Sequence, residues 1–148
     1  MTDARLLFSL RLRSDPELLC VVRSVLERLT QILGFTAAEG RSVIIAVDEA
    51  LTNIIRHAYQ ARRGRPIEMA FRRTRRDQEA RSGLEITLID YGPAIDRAKL
   101  RGRPLDEVRP GGLGLHFIQQ SMDIVKYRRT GGTNQLRLVK YPSGETSG

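Results

Sequence analysis

Val47-Asp48-Glu49-Ala50-Leu51-Thr52-Asn53-Ile54-Ile55-Arg56-His57-Ala58-Tyr59 is an apolar helical stretch in which polar side chains return every fourth position. Four residues advance an α-helix slightly more than one turn, so Glu49, Asn53 and His57 share one gently drifting stripe. Leu51, Ile54, Ile55 and Ala58 flank that stripe and read as core. A carboxylate one turn from a carboxamide offers a proton acceptor beside an oxygen ligand for a hard cation such as Mg²⁺. Taken alone, the stripe is more often an ordinary polar helix face than a site.

Two glycine-bearing segments downstream change the balance. Leu88-Ile89-Asp90-Tyr91-Gly92-Pro93-Ala94-Ile95-Asp96 is an apolar strand that ends in an aspartate and breaks at Gly-Pro. Pro110-Gly111-Gly112-Leu113-Gly114-Leu115-His116-Phe117-Ile118 is a glycine-rich turn running into an amphipathic helix. Each is weak by itself, the first as a strand-end turn and the second as a flexible connection. Their order after the helix is what gives them weight.

The flanking sequence supplies a scaffold. Leu6 to Arg13 alternates, with Leu6, Phe8, Leu10 and Leu12 on one face, as in a half-buried strand. Ser14-Asp15-Pro16-Glu17 has the pattern of a capping box, opening a long amphipathic helix that ends at Gly34. Thr36-Ala37-Ala38-Glu39 is a second capping box, opening the helix that carries Glu49 and Asn53. Ile67 to Phe71 reads as a strand followed by a basic turn, Arg72-Arg73-Thr74-Arg75-Arg76, and Leu84 to Ile89 as another strand. Arg97 to Pro110 lacks periodicity and reads as a mobile loop. A helix from Leu113 to Met122 precedes strands at Ile124 to Arg128 and Gln135 to Lys140, joined across Gly131-Gly132. This order predicts an α+β two-layer sandwich, a mixed but mostly antiparallel sheet with helices on one face. One domain over residues 1–141 is expected, with a disordered tail at 142–148.

Composition narrows the function classes. A chain of 148 residues can bury roughly 70% of its unfolded surface without staples. Its one cysteine, Cys20, cannot form an internal disulfide and fits a reducing cytoplasm; its apolar helical surroundings predict a buried structural thiol. No apolar run reaches the roughly 20 residues that span a bilayer, and Arg11 and Arg13 break any signal-peptide pattern, so a soluble cytoplasmic chain with no membrane association is expected. The excess behind the net charge of +8 is almost all arginine, and much of it is crowded between Arg62 and Arg81. Such a run suits a solvated loop first and an acidic protein partner second. Direct nucleic-acid binding ranks last, because no aromatic residues alternate with the cations to stack on bases.

Glu49-x-x-x-Asn53, Asp90-x-Gly92 and Gly112-x-Gly114 together resemble the N, G1 and G2 boxes of the ATP-binding superfamily of gyrase, Hsp90, histidine kinases and MutL. Within it, "DEALTNIIRHAY", "DYGPAID" and "GGLGLHFIQQSMD" are similar to the bacterial anti-sigma-factor serine/threonine protein kinases of partner-switching systems. The resemblance runs from about residue 8 to residue 140. It implies the histidine-kinase-like ATPase fold, with ATP and Mg²⁺ as cofactors. By that resemblance Asp90 accepts the adenine amino hydrogen, and Gly92 lets the backbone pass close to the ring. Gly112, Leu113 and Gly114 open a helix whose N-terminus suits phosphate oxygens. Asn53 holds the metal, Glu49 is the general base toward a serine or threonine hydroxyl, and Arg109, with Arg101 and Arg103, is a lid contact to phosphate. Thr133, after Gly132, resembles a terminal element whose hydroxyl reaches adenine through water. His57 is expected to pack within its helix, and Asp48 to face solvent or cap a lid contact. Ala94 departs from the pattern, standing where many members carry a second glycine.

The implied partners are an anti-sigma antagonist domain, a sigma factor and a second copy of the chain in a homodimer. Two readings stay open beside the anti-sigma kinase: a nucleotide-binding partner-switching module without phosphotransfer, and a kinase controlling a target other than a sigma factor.

Overall fold

The computed structural model describes residues 5–75, 82–94 and 112–143. Strand β1 (Leu6–Arg13) leads through a short 3-10 turn (Pro16–Leu18) into α1 (Leu19–Ile32), followed by α2 (Ala37–Asn53) and a π-helical turn (Ile54–Ala58). Then come β2 (Pro66–Arg75), β3 (Ser82–Asp90), α3 (Gly112–Ser121), β4 (Ile124–Thr130) and β5 (Thr133–Lys140). The sheet order is β1-β2-β3-β5-β4, and all four pairings are antiparallel, a more uniform sheet than the mixed one expected.

Strand alternation explains the layering. In β3, Leu84, Ile86 and Leu88 are buried and share a face with Asp90. In β2, Ile67, Met69 and Phe71 do the same, each at most 1% exposed. They meet Val22, Leu26 and Leu29 of α1, Val43, Val47, Ala50 and Leu51 of α2, and Ile118 of α3 in one core. Helices on one face and a half-buried β1 complete the two-layer α+β sandwich.

Local chemistry sets the helix boundaries. Thr36 Oγ1 accepts from the Glu39 N–H at 3.1 Å while Glu39 Oε1 accepts from the Thr36 N–H at 2.9 Å, so the capping box of α2 forms as read. Ser143 N–H also donates to Glu39, on Oε2 at 2.7 Å, docking the end of the described chain onto the start of α2. The box expected at Ser14–Glu17 does not form. Ser14 Oγ instead donates to the Arg62 carbonyl at 2.6 Å and accepts from the Arg65 N–H, while Asp15 Oδ1 accepts from Gly64 N–H. A long-range loop claims both side chains, and α1 starts from the 3-10 turn.

Two further expectations are corrected. Arg72 to Arg75 continue β2 rather than turning, because Glu85, Leu84, Gly83 and Ser82 of β3 pair with them. Cys20 is exposed, not buried, since it lies off the face of α1 that carries Leu19, Val22 and Leu26. Asp48 accepts from Arg23 Nε of α1 at 2.8 Å, tying the two helices together at the surface.

Candidate functional site

Four elements converge where β3 ends. Asp90 closes β3 on its helix-facing side, and its cross-strand partner is Asn134, the second residue of β5. Both are buried, at 2% and 1% exposure. Asp90 Oδ1 accepts from the Gly92 N–H at 2.9 Å and from Asn134 Nδ2 at 2.8 Å. Oδ2 carries neither bond. Among the described residues no buried side-chain oxygen lacks a partner, so Oδ2 keeps a narrow contact with the surface although Asp90 as a whole is buried.

Asn134 does more than meet Asp90. Its amide nitrogen also donates to the Pro93 carbonyl at 2.9 Å and approaches the Gly92 carbonyl at 3.3 Å. Its own carbonyl oxygen accepts from Arg129 Nη1 at 2.9 Å and from the Tyr127 hydroxyl. Arg129 Nη1 donates to the Gly92 carbonyl as well, at 2.9 Å. Burial pushes the Asp90 carboxyl above the usual carboxylate range, and the Asn134 amide, the Gly92 N–H and the Arg129 charge pull against it, in that order.

A second latch holds the same loop to the helical layer. Tyr59, just past the π-helical turn, donates its hydroxyl to the Pro66 carbonyl at 2.6 Å and accepts from the Tyr91 N–H at 2.8 Å. Burial raises the pKa of this phenol, which keeps it a donor. Gly92 packs onto the same turn: a Cβ there would lie 2.8 Å from the Ala58 carbonyl oxygen and 2.9 Å from the Ala58 Cβ. Glycine at 92 is therefore dictated by protein packing, whatever passes on its other side. A single π turn inside a helix is a frequent feature of functional sites. Here it brings Ala58 against Gly92.

Glu49 and Asn53 lie one turn apart near the end of α2, both half-buried between core and surface. His57 falls in the π turn and is exposed, so it does not pack as expected: Ile54, Ile55 and Ala58 take the inward positions. Thr133 does not face Asp90. Its hydroxyl donates to the Thr130 carbonyl at 2.7 Å and closes the β4–β5 turn. Asn134, one residue on, takes the inward position. Gly112, Leu113 and Gly114 form the first turn of α3, and α3 packs beside α2. The predicted lid with Arg101, Arg103 and Arg109 lies outside the described residues.

Asn134, Arg129 and Tyr127 were not among the residues singled out in the sequence. The signal for Asn134 is the alternation of β5, in which Asn134, Leu136 and Leu138 share a face. An inward asparagine at a strand start needs partners, because a buried amide without them is costly.

The described residues offer an acceptor at Asp90, a narrow backbone at Gly92 and a carboxamide at Asn53. A carboxylate oxygen free of the Gly92 and Asn134 bonds can accept an N–H hydrogen, and a side-chain-free Gly92 follows it. The Asn53 carboxamide suits an ion that keeps most of its shell in phosphate and water oxygens.

The histidine kinase-like ATPase domain family matches residues 12–140, and the chain belongs to that family. Among curated relatives, the serine/threonine-protein kinase BtrW of Bordetella bronchiseptica is 30% identical over 109 residues, covering 71% of this chain and 72% of its own. The serine-protein kinase RsbW of Bacillus subtilis is 26% identical over 144 residues, covering 92% and 86%. Among solved structures, the SiaB-SiaC complex of Pseudomonas aeruginosa aligns with a TM-score of 0.60 at 15% identity, over 93% of this chain and 91% of that one. At that identity the likeness is one of fold.

Proposed function

We propose that this chain is an ATP-dependent protein serine/threonine kinase of the partner-switching type. It phosphorylates a serine or threonine on an anti-sigma antagonist domain and, in the alternate state, sequesters a sigma factor. The observation that carries the reading is the buried Asp90 with one oxygen bonded twice and the other free of both bonds, on a chain whose curated relatives are named serine- or serine/threonine-protein kinases.

Residues 1–141 act as one ATP-binding kinase domain, as a homodimer. Asp90 accepts the adenine amino hydrogen, and Gly92 supplies the close backbone. Gly112, Leu113 and Gly114 offer helix N–H groups to the phosphates, with Arg109 from the lid and the Thr133 end of the hairpin at the rim. Asn53 ligates Mg²⁺, which supplies charge neutralisation during transfer. Glu49, one turn before Asn53, takes or orients the proton of the incoming hydroxyl. The protein's contribution is positioning: a carboxylate for the acceptor, a carboxamide for the ion and a shaped pocket for the base.

The test is calorimetry with Mg-ATP together with radiolabel transfer to candidate antagonist domains. Wild type should bind and transfer. Glu49→Ala should keep its affinity within about threefold while transfer falls by about 10²–10⁴, the usual range for a lost general base. Unchanged transfer by that variant rejects the role of Glu49. A wild type that binds but transfers to no antagonist leaves a nucleotide-binding module.

A further inference from the structure

Asp90 is held by more than its strand. Asn134 spends its amide hydrogens on Asp90 Oδ1 and the Pro93 carbonyl, and its oxygen on Tyr127 and Arg129. An asparagine fixed at both ends cannot flip its amide, so it presents a donor to Asp90 at all times. Both Oδ1 bonds come from N–H groups, so a proton arriving at this carboxyl goes to Oδ2. That would turn the one oxygen left for a ligand from acceptor into donor.

We propose that Asn134 is a positioning residue for purine recognition: clamped by Tyr127 and Arg129, it occupies Oδ1 of Asp90 and leaves Oδ2 as a pure acceptor, and so makes the β4–β5 hairpin responsible for choosing a 6-amino over a 6-oxo purine. The inference rests on the reading of Asp90 as the adenine acceptor. An amino group at position 6 needs an acceptor; an oxo group there would face a carboxylate lone pair and be repelled. The groups facing Asp90 are few among the described residues. Arg129 of β4 is the only cation acting on it. Tyr59 beyond α2 is a neutral phenol already bonded to Pro66 and Tyr91, and Tyr127 of β4 is bonded to Asn134. Tyr91 at the end of β3 turns its hydroxyl to Glu68 of β2. Without the Asn134 amide, burial would act on the carboxyl with only the Gly92 N–H and the Arg129 charge against it.

The experiment compares adenosine and inosine diphosphate, which differ in the group at position 6 and in the proton that N1 carries in the oxo form, by calorimetry from pH 5.5 to 8.5 with Asn134→Leu and Arg129→Gln. Wild type should prefer the adenosine form by roughly tenfold or more, the scale of a lost hydrogen bond with one acceptor left opposed, at every pH. Asn134→Leu should lose about tenfold in adenosine diphosphate affinity at the acid end and recover as pH rises, with its 6-amino preference collapsing at the same pH. Arg129→Gln, at an exposed position, should show the same trend more weakly and serves if the leucine variant does not fold. Carboxyl carbon NMR of nucleotide-free protein should place the Asp90 midpoint higher in both variants. A loss equal at all pH values with an intact preference would make Asn134 merely structural and overturn the inference, as would an unchanged Asp90 midpoint. Wild type without any adenosine diphosphate binding overturns the nucleotide reading itself, whereas wild-type binding with an indifferent Asn134→Leu overturns the inference alone.

Discussion

Asp90 is a carboxylate kept where a carboxylate is costly. Burial holds its folded pKa above the unfolded value of about 3.9. A carboxyl raised in the folded state contributes stability below the unfolded pKa, and that contribution is lost as pH rises through the folded value. At neutral pH the ionised Asp90 therefore works against folding. Asp90→Asn should remove that pH dependence: its Tm at pH 7 should equal or exceed wild type, while at pH 3 the two should converge. Scanning calorimetry across pH 3–8 checks this. The same variant keeps an Oδ1 acceptor for Gly92 and Asn134 but puts an NH₂ in place of Oδ2. Adenine nucleotide affinity should fall by about tenfold or more, and equal affinity in a titration would refute the ring-edge role.

At the level of elements, the site depends on how the end of α2 meets the ends of β2 and β3. Tyr59 joins all three through one hydroxyl. Tyr59→Phe leaves the Tyr91 N–H and the Pro66 carbonyl without their shared partner and should cost about 1–3 kcal/mol in urea unfolding. Nucleotide affinity should drop with it, because Gly92 follows Tyr91. Packing of α1 on α2 has its own tight point. A Cβ at Gly40 would sit 2.9 Å from Thr30 Oγ1, whose hydroxyl already donates to the Leu26 carbonyl. Gly40→Val should destabilise by about 1–3 kcal/mol through overpacking, read from the midpoint at constant m-value. Gly40→Ala should cost less, since the better helix propensity of alanine offsets part of the clash.

Across the whole molecule, the candidate site draws on α2, β3, the β4–β5 hairpin and α3, so occupancy should stabilise the fold globally rather than one loop. At a hundred times its Kd, Mg-ATP should add about 2.7 kcal/mol to unfolding stability. Hydrogen exchange should slow at the Tyr91 and Gly92 amides and in the hairpin together. Protection confined to one element would argue against a shared site. The arginine excess belongs to this scale too. Much of it lies on regular structure, as Arg72, Arg73 and Arg75 on β2 and Arg128 and Arg129 on β4 show. Regular cations suit fixed contacts with acidic partners and speed encounter with them.

Local rules were enough for much of this protein. The period of 3.6 in α1 and α2, the period of two in β1 and β3, and the Thr36–Glu39 box each depend on neighbours within a few residues, and all appear where the sequence places them. Asp90-x-Gly92 was legible because a strand-ending aspartate and a glycine are adjacent in the chain. The tertiary structure alone decided the rest. Ser14 and Asp15 gave up their local box for partners about fifty residues away, and Arg72 to Arg75 became strand because β3 offered hydrogen bonds. Asn134 rather than Thr133 met Asp90 because, in a strand, one residue of register exchanges the faces. The physical reason is common to these cases. Short-range pattern states which face a side chain prefers, whereas the partner waiting on that face is supplied by segments the pattern cannot see.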